Sequence, residues 1–387
     1  MEQHAASVAP GTGREPPLAL SSVELFTGGG GLALGTHAAG FRHAALLERN
    51  ADACATIRAN VAAGAVPGIG HWVVHEGDVR AVDFGGLGPV DLVAGGPPCQ
   101  PFSLGGKHGA FADPRNMIPE FCRAVRELQP RAFIMENVRG LTRAAFAPYF
   151  DYVLRQLALP GLPPAVDETW EEHDARLRAV GMPAYRVQAR VLDAADYGVP
   201  QHRHRVFVVG FRADLPIEWS FPAATHSGAA LWASQWASGE YWRRHAIARP
   251  AAPPSRRPTG PEGLQPWRTL RDAIGDLPEP EASGGGPFNH RLVPGARAYP
   301  GHTGSPVDLP SKALKAGVHG VPGGENTVLF PDGRLRYLTV REAARVQTFP
   351  DGWRLEGAWG EAMRQIGNAV PVKLAEAVAR SVAAALA

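Results

Sequence analysis

Along the first half of the chain, short apolar runs of strand length alternate with stretches whose apolar residues recur every three or four positions. Residues 23–26, 44–47, 90–94, 132–135 and 206–210 read as strands, and residues 32–39, 51–61 and 118–128 as amphipathic helices. The alternation predicts an α/β fold, a mostly parallel sheet with helices on both faces. Ligands on such a sheet bind beyond the carboxyl ends of the strands, so unusual residues at those ends carry the interest.

The pattern changes twice. Residues 160–182 are polar and broken by proline, which reads as an insertion. From 212 to about 335 helical periodicity fades and proline and glycine become frequent, and five of the nine tryptophans lie there (Trp219, Trp232, Trp236, Trp242 and Trp267). That texture predicts a second, smaller, loop-rich domain. Helical patterns resume at 339–347, and an alanine-rich helix over 373–386 follows. The expected division is a disordered leader over 1–17, a cofactor-binding domain over 18–211 completed by 355–387, and a second domain with its supporting motif over 212–354.

Composition narrows the function classes. Of the 387 residues, 45% are apolar and 20% charged, as in a globular protein, and a net charge of +2 provides no global basic field. Contact with nucleic acid would have to come from local clusters of arginine. The three cysteines, Cys54, Cys99 and Cys122, are too few for a disulfide framework, and no pair has metal-ligand spacing. A reducing compartment and no metal are the expectation. No apolar stretch is long enough to span a bilayer, so no membrane contact is expected.

Candidate chemistry falls at the predicted strand ends. Phe26 to Gly31 (FTGGGG) joins a strand to a helix, where glycines let the backbone approach a ligand. A tight connection explains that turn equally well. Glu48 ends the next strand, placed for ribose hydroxyls, and Asp78 follows a third, placed for an adenine. Gly95 to Ser103 (GGPPCQPFS) holds Cys99 on a polar loop past a strand end, a setting for a reactive thiolate. Cys54 and Cys122 lie in helical patterns and read as small hydrophobes. Glu136 ends the following strand, and a carboxyl there can serve as a general acid on a ring nitrogen while a thiolate attacks the adjacent carbon. On an extended backbone Gln201, Arg203 and Arg205 face one way, so both guanidinia can converge on one anion.

The order of these motifs resembles the bacterial DNA (cytosine-5)-methyltransferase family over nearly the whole chain. Two later segments join the match, residues 336–350 (RYLTVREAARVQTFP) and 365–370 (QIGNAV). The resemblance implies a Rossmann-like S-adenosylmethionine-dependent methyltransferase sheet plus a target-recognition domain. It implies that Cys99 attacks C6 of a flipped-out cytosine, Glu136 holds N3, and Arg205 with Arg203 supports Glu136 and the base. Phe26, Gly29, Gly31, Glu48, Asp78, Val79, Pro98, Ile118, Asn368 and Val370 would line the S-adenosyl-L-methionine pocket, with S-adenosyl-L-homocysteine as product. Gln100, Ser103 and Gln201 would meet DNA. Glu24 stands where an aspartate is usual, Gly29 adds a fourth glycine, and His202 occupies a position often basic in the family.

Between 201 and 257 eight arginines face three acids, an excess that suits phosphate contact, with Arg243 and Arg244 as candidates or as solvated loop charges. The family places target recognition between 212 and 335, and the run 315–327 (KAGVHGVPGGENT) is expected to face DNA. The partners implied are double-stranded DNA and a possible cognate restriction endonuclease, for a monomer in the bacterial cytoplasm associated with the nucleoid. A nicotinamide-dependent dehydrogenase would explain the glycine turn but not the cysteine loop. A tRNA cytosine methyltransferase shares the catalytic motifs, and the long second domain favours duplex DNA. An inactive DNA-binding homologue is disfavoured by the presence of Cys99, Glu136, Arg203 and Arg205.

Overall fold

The computed structural model describes residues 20–98, 116–261, 263–284, 286–316 and 325–387. A seven-stranded sheet organises the first part of the chain. Its strands are β1 (Ser21–Leu25), β2 (Arg42–Glu48), β3 (Val74–Glu76), β4 (Leu92–Gly95), β5 (Ala132–Val138), β6 (Tyr185–Asp193) and β7 (His204–Arg212). Their order is β3-β2-β1-β4-β5-β7-β6. The first five pair in parallel, and β7 runs antiparallel between β5 and β6.

Period-two alternation distributes the apolar side chains to two cores. Val23, Leu25, Val93, Phe133, Met135 and Val208 face α3 (Ile118–Leu128) and α4 (Ala147–Ala158). Leu92, Ala94, Ala132, Ile134, Phe207 and Val209 face the other way, against the C-terminal helix. On that second face lie α1 (Gly31–Ala38) and α2 (Ala51–Ala63). Asn50 caps α2 by accepting from the Ala53 amide at 2.9 Å, and Gly64 ends it in the left-handed region at φ 58°.

Two elements go beyond the sequence expectation. The polar insertion contains α5 (Trp170–Arg178), opened by a Thr169/Glu172 capping box and held by Asp174 between Arg155 and Arg178. Strand β6 has no counterpart among the expected runs, because its outer positions are polar and exposed. Phe26 falls outside β1, at a φ of 60° that directs the chain into the glycine turn.

The stretch after β7 is built from short pieces: β8 (His226–Ser227), α6 (Gly228–Trp232), α7 (Glu240–Arg244), β9 (Gln265–Pro266), α8 (Leu270–Ile274), β10 (Ser305–Pro306), β11 (Thr327–Leu329) and β12 (Leu335–Tyr337). Leu231, Trp236, Tyr241 and Trp242 form a separate aromatic core. Asp308 ties that core to the rest, accepting from Tyr241 Oη at 2.7 Å and pairing with Arg271, while its carbonyl accepts from Gln235. Then come α9 (Val340–Val346), α10 (Trp359–Asn368) and α11 (Val372–Leu386). Residues of α9 and α10 share one core with α1 and α2, so the packing has no break at 354. Of the run 315–327, residues 317–324 lie outside the described residues. No described helix is long and apolar enough to cross a membrane.

Helices α1 and α11 meet at Gly35, where a Cβ would lie 2.4 Å from Ala375 Cβ and 2.8 Å from the Val372 carbonyl oxygen. Alanine is the better helix former by ~1 kcal/mol, yet overpacking against backbone costs ~1–3 kcal/mol. Gly35→Ala is therefore expected to lower the unfolding free energy, by about 1 kcal/mol net, in a urea titration. An unchanged or raised midpoint would mean that α11 gives way without cost.

Candidate active site

The glycine turn is fixed by contacts from three directions. Gly28 and Gly30 adopt φ values of 56° and 94°, conformations that L side chains rarely take. The Gly28 amide donates to Glu48 Oε2 at 2.8 Å, tying the turn to the end of β2. From the C-terminal side, the Val370 carbonyl oxygen sits 2.4 Å from where a Cβ on residue 31 would be. Trp353, fully buried, donates its Nε1 hydrogen to the Gly29 carbonyl at 3.1 Å. Among the described residues no atom lies within 4 Å of where a Cβ on residue 28 would be. Beneath the turn Glu24 is fully buried, and burial pushes its carboxyl well above the usual range.

Glu48 accepts two further amides, from Arg49 at 2.9 Å and Asn50 at 2.7 Å. Three donors thus orient a carboxylate that offers about four lone-pair sites, leaving one direction for a ligand hydroxyl. Asp78 is bound by Arg80, through Nε at 2.9 Å and Nη2 at 2.5 Å, and hydrogen bonding from Arg80 holds its pKa at about 2. Val79 and Ile118 are buried beside this region, whereas Pro98 and Asn368 are exposed and Val370 is buried. Phe26 is half-buried.

At the next mouth of the sheet, Glu136 is 6% exposed at the end of β5. Arg205, at the start of the antiparallel β7, brings Nε to 2.8 Å from Glu136 Oε1. The pairing of Val138 with Arg205 across the two strands sets this meeting. Burial raises the Glu136 pKa, opposed by the charges of Arg205 and Arg203. Gly96 lies under the carboxyl, its Cβ position 3.1 Å from Glu136 Oε2. Asn137, part of the Glu136–Val138 strand-end motif but given no role by the sequence, donates to the Pro97 carbonyl at 3.1 Å and so fastens the start of the cysteine loop beside Glu136. Cys99, Gln100 and Ser103 lie outside the described residues. Cys54 and Cys122 are free thiols, with burial pushing their pKa values up to about 11 and about 12.

The structure corrects two readings of the segment before β7. Gln201 does not face DNA: it is fully buried, accepting from the Leu314 amide at 2.8 Å and donating to Gln347 Oε1 at 3.0 Å. The two guanidinia do not converge on one anion. Arg205 reaches Glu136, whereas Arg203 donates to the main-chain carbonyls of Leu314 at 3.0 Å and Gly367 at 2.5 Å, acting on Glu136 only through its charge. His202 pairs with Asp193 at 2.8 Å. Arg244 is held by Asp272 at 2.7 Å and lies over Tyr241, while Arg243 is exposed and donates to the Ser238 carbonyl. No group of three or more metal-ligating side chains is assembled among the described residues. Trp353 and Gln347 lie in or just past the matched 336–350 run, but only packing reveals that they brace the turn and the strand start.

Comparison with known proteins agrees with this layout. The profile of C-5 cytosine-specific DNA methylases matches residues 20–241 and 301–384. The chain is 33% identical over 385 residues to the type II methyltransferase M.PspPI of Psychrobacter sp. (strain TA137), covering 95% of this chain and 80% of that one. It is 32% identical to M.NgoMIV of Neisseria gonorrhoeae, covering 95% and 98%. A prophage-encoded DNA modification methyltransferase of E. coli has a similar fold, with a TM-score of 0.57 at 21% identity and coverage of 95% and 99%. So does the S. pombe Dnmt2 methyltransferase, with a TM-score of 0.57 at 17% identity and coverage of 95% and 98%.

Trp353→Phe keeps the ring packing but strands the Gly29 carbonyl. The expected result is a fall of roughly 5-fold in S-adenosylhomocysteine affinity, corresponding to about 1 kcal/mol for one hydrogen bond. Calorimetric titration checks it, and an unchanged affinity would remove Trp353 from the support of the turn.

Proposed function

The chain belongs to the C-5 cytosine-specific DNA methylase family, and from that premise we propose how its own residues divide the work. The reaction moves a methyl group from S-adenosylmethionine to C5 of a cytosine in DNA, as in type II restriction-modification. The fit of the cofactor rests on the cradle over Gly28, clear among the described residues, and the one free direction of the Glu48 carboxylate. Phe26, Gly29, Gly31, Glu48, Asp78, Val79, Pro98, Ile118, Asn368 and Val370 would hold it. When bound, it supplies an electrophilic methyl group next to the cysteine loop.

Cytosine C5 is a poor nucleophile. Cys99, one peptide beyond Pro98, would add as thiolate to C6, converting the ring to an enamine with density on C5. Glu136 would hydrogen-bond N3 and share its proton as charge builds there. Burial favours the protonated form of that carboxyl and raises its pKa, while Arg205 and Arg203 oppose the shift by stabilising the ionised form. After methylation, loss of the C5 proton and departure of the Cys99 sulfur from C6 would restore the aromatic ring. The target base has to leave the duplex first, at a cost of a few kcal/mol of unstacking.

The single observation carrying this reading is the buried Glu136–Arg205 pair, with Asn137 fastening the cysteine loop beside it. Residues 212–354 would serve target recognition, with Arg243 as an exposed DNA contact and Arg244 oriented by Asp272. A monomer acting on duplex DNA near the nucleoid, with an endonuclease cutting the same site, completes the proposal.

Bisulfite sequencing of DNA from a host expressing the protein is expected to reveal methylated cytosines in one sequence context; no methylation would sink the reading. Cys99→Ala is expected to abolish turnover, and retained methylation would remove it as nucleophile. Glu136→Gln should lower kcat by at least ~10²-fold, with cofactor affinity nearly kept. Exchange of 212–335 with a relative's segment should change the sequence methylated, and unchanged specificity would place recognition elsewhere.

A further inference from the structure

The corrected positions of Gln201 and Arg203 have a common target. Both backbone polar groups of one recognition-region residue are gripped. The Leu314 amide donates to Gln201 Oε1, and the Leu314 carbonyl accepts from Arg203 Nη1. Around them, residues 311–316 dock along 200–203, with His202 donating to the Ser311 carbonyl and the Ser311 amide to that of Pro200, each at 2.9 Å. This strap is fixed to the start of β7, not merely near it.

The same side chains also reach the cofactor side. The last turn of a helix exposes carbonyls that lack intrahelical donors. In α10 these are served from outside. Gln347 Nε2 donates to the Ile366 carbonyl at 2.6 Å, and Arg203 Nη2 to that of Gly367 at 2.5 Å. Gln347 is in turn held by Gln201. The strap lies directly on this turn: a Cβ at Gly367 would be 2.2 Å from the Ala316 nitrogen and the Lys315 carbonyl carbon. Asn368 and Val370, proposed cofactor contacts, follow at once.

Arg203 is 1% exposed, and no carboxylate lies within ion-pair distance of it among the described residues. Retaining a guanidinium there is costly unless its fork is used for geometry, and here each arm holds a different segment.

We propose that Gln201 and Arg203 are positioning residues that lock the strap 311–316 of the recognition region onto the last turn of α10, so that cofactor binding and DNA binding are coupled through this joint. The inference rests on the methyltransferase reading above. Coupling of this kind is reciprocal, and typical magnitudes are about 5- to 150-fold in affinity.

The test measures S-adenosylhomocysteine affinity calorimetrically, with and without a duplex carrying the site found by bisulfite sequencing. In the wild-type protein the duplex is expected to change that affinity by at least ~5-fold. In Arg203→Lys, which keeps the charge but loses the fork, the ratio should fall below about 2-fold. Gly367→Ala, which keeps every hydrogen-bonding group and puts a methyl where the backbone of the strap lies, should do the same. Because the readout is a ratio, a uniform loss of affinity cancels. A correctly folded variant with the wild-type ratio would overturn the proposal, as would a wild-type affinity indifferent to duplex. Should both variants fail to fold, hydrogen exchange on the wild-type protein decides: S-adenosylhomocysteine alone should slow exchange at the Leu314 amide, and no change there overturns the joint. A wild-type protein that binds no S-adenosylhomocysteine would instead overturn the methyltransferase reading itself.

Discussion

A carbonyl oxygen at Val370 occupies the space that a side chain on residue 31 would need. That close approach of backbone to backbone, repeated a turn later at Gly35, lets the C-terminal segment lie on the first helix. The cofactor side of the sheet's mouth follows from it. The return brings Asn368 and Val370 to the glycine turn, places Trp353 on the Gly29 carbonyl, and leaves the end of α10 where Arg203 and Gln347 can reach it.

The second determinant is electrostatic. Glu136, Arg205 and Arg203 are all nearly out of water, where a charge is tolerated only when paired or richly hydrogen-bonded. The three solve this differently. Glu136 and Arg205 pair with each other diagonally, across strands whose antiparallel register sets Arg205 opposite Val138. Arg203 donates to two carbonyls through Nη1 and Nη2, its buried Nε has no hydrogen-bond partner among the described residues, and its positive charge reaches Glu136 through a low-dielectric interior. The carboxyl therefore responds to two cations while touching one, and burial still raises its pKa.

Much of this was legible in the sequence, and the failures share a cause. The helix over 118–128 was read to the residue, because its apolar face is complete and proline and glutamine mark its ends. Strand β6 escaped because an edge strand with a wet face lacks a continuous apolar run. The helix in the insertion escaped because its residues are mostly polar, although Thr169 and Glu172 spell out a capping box. Period-two reasoning correctly put Gln201, Arg203 and Arg205 on one backbone trace, yet it could not say what lies opposite. Only the fold brings Leu314 and Gly367, more than a hundred residues away, against that trace. Local pattern encodes direction; partners at long range are a property of packing.

The anchoring of the aromatic core through Asp308 bears on how such a protein diversifies. Residues 242–300 lie between the two stretches that match the family profile. Gln235 and Tyr241 just before them and Arg271 within them all meet that aspartate. The exposed stretch 248–261 is free to lengthen, shorten or change in composition, whereas Leu270 and Ile274 of α8 pack into the core shared with α1 and α2. Change is thereby admitted at the surface of the segment and resisted where its helix meets the shared core.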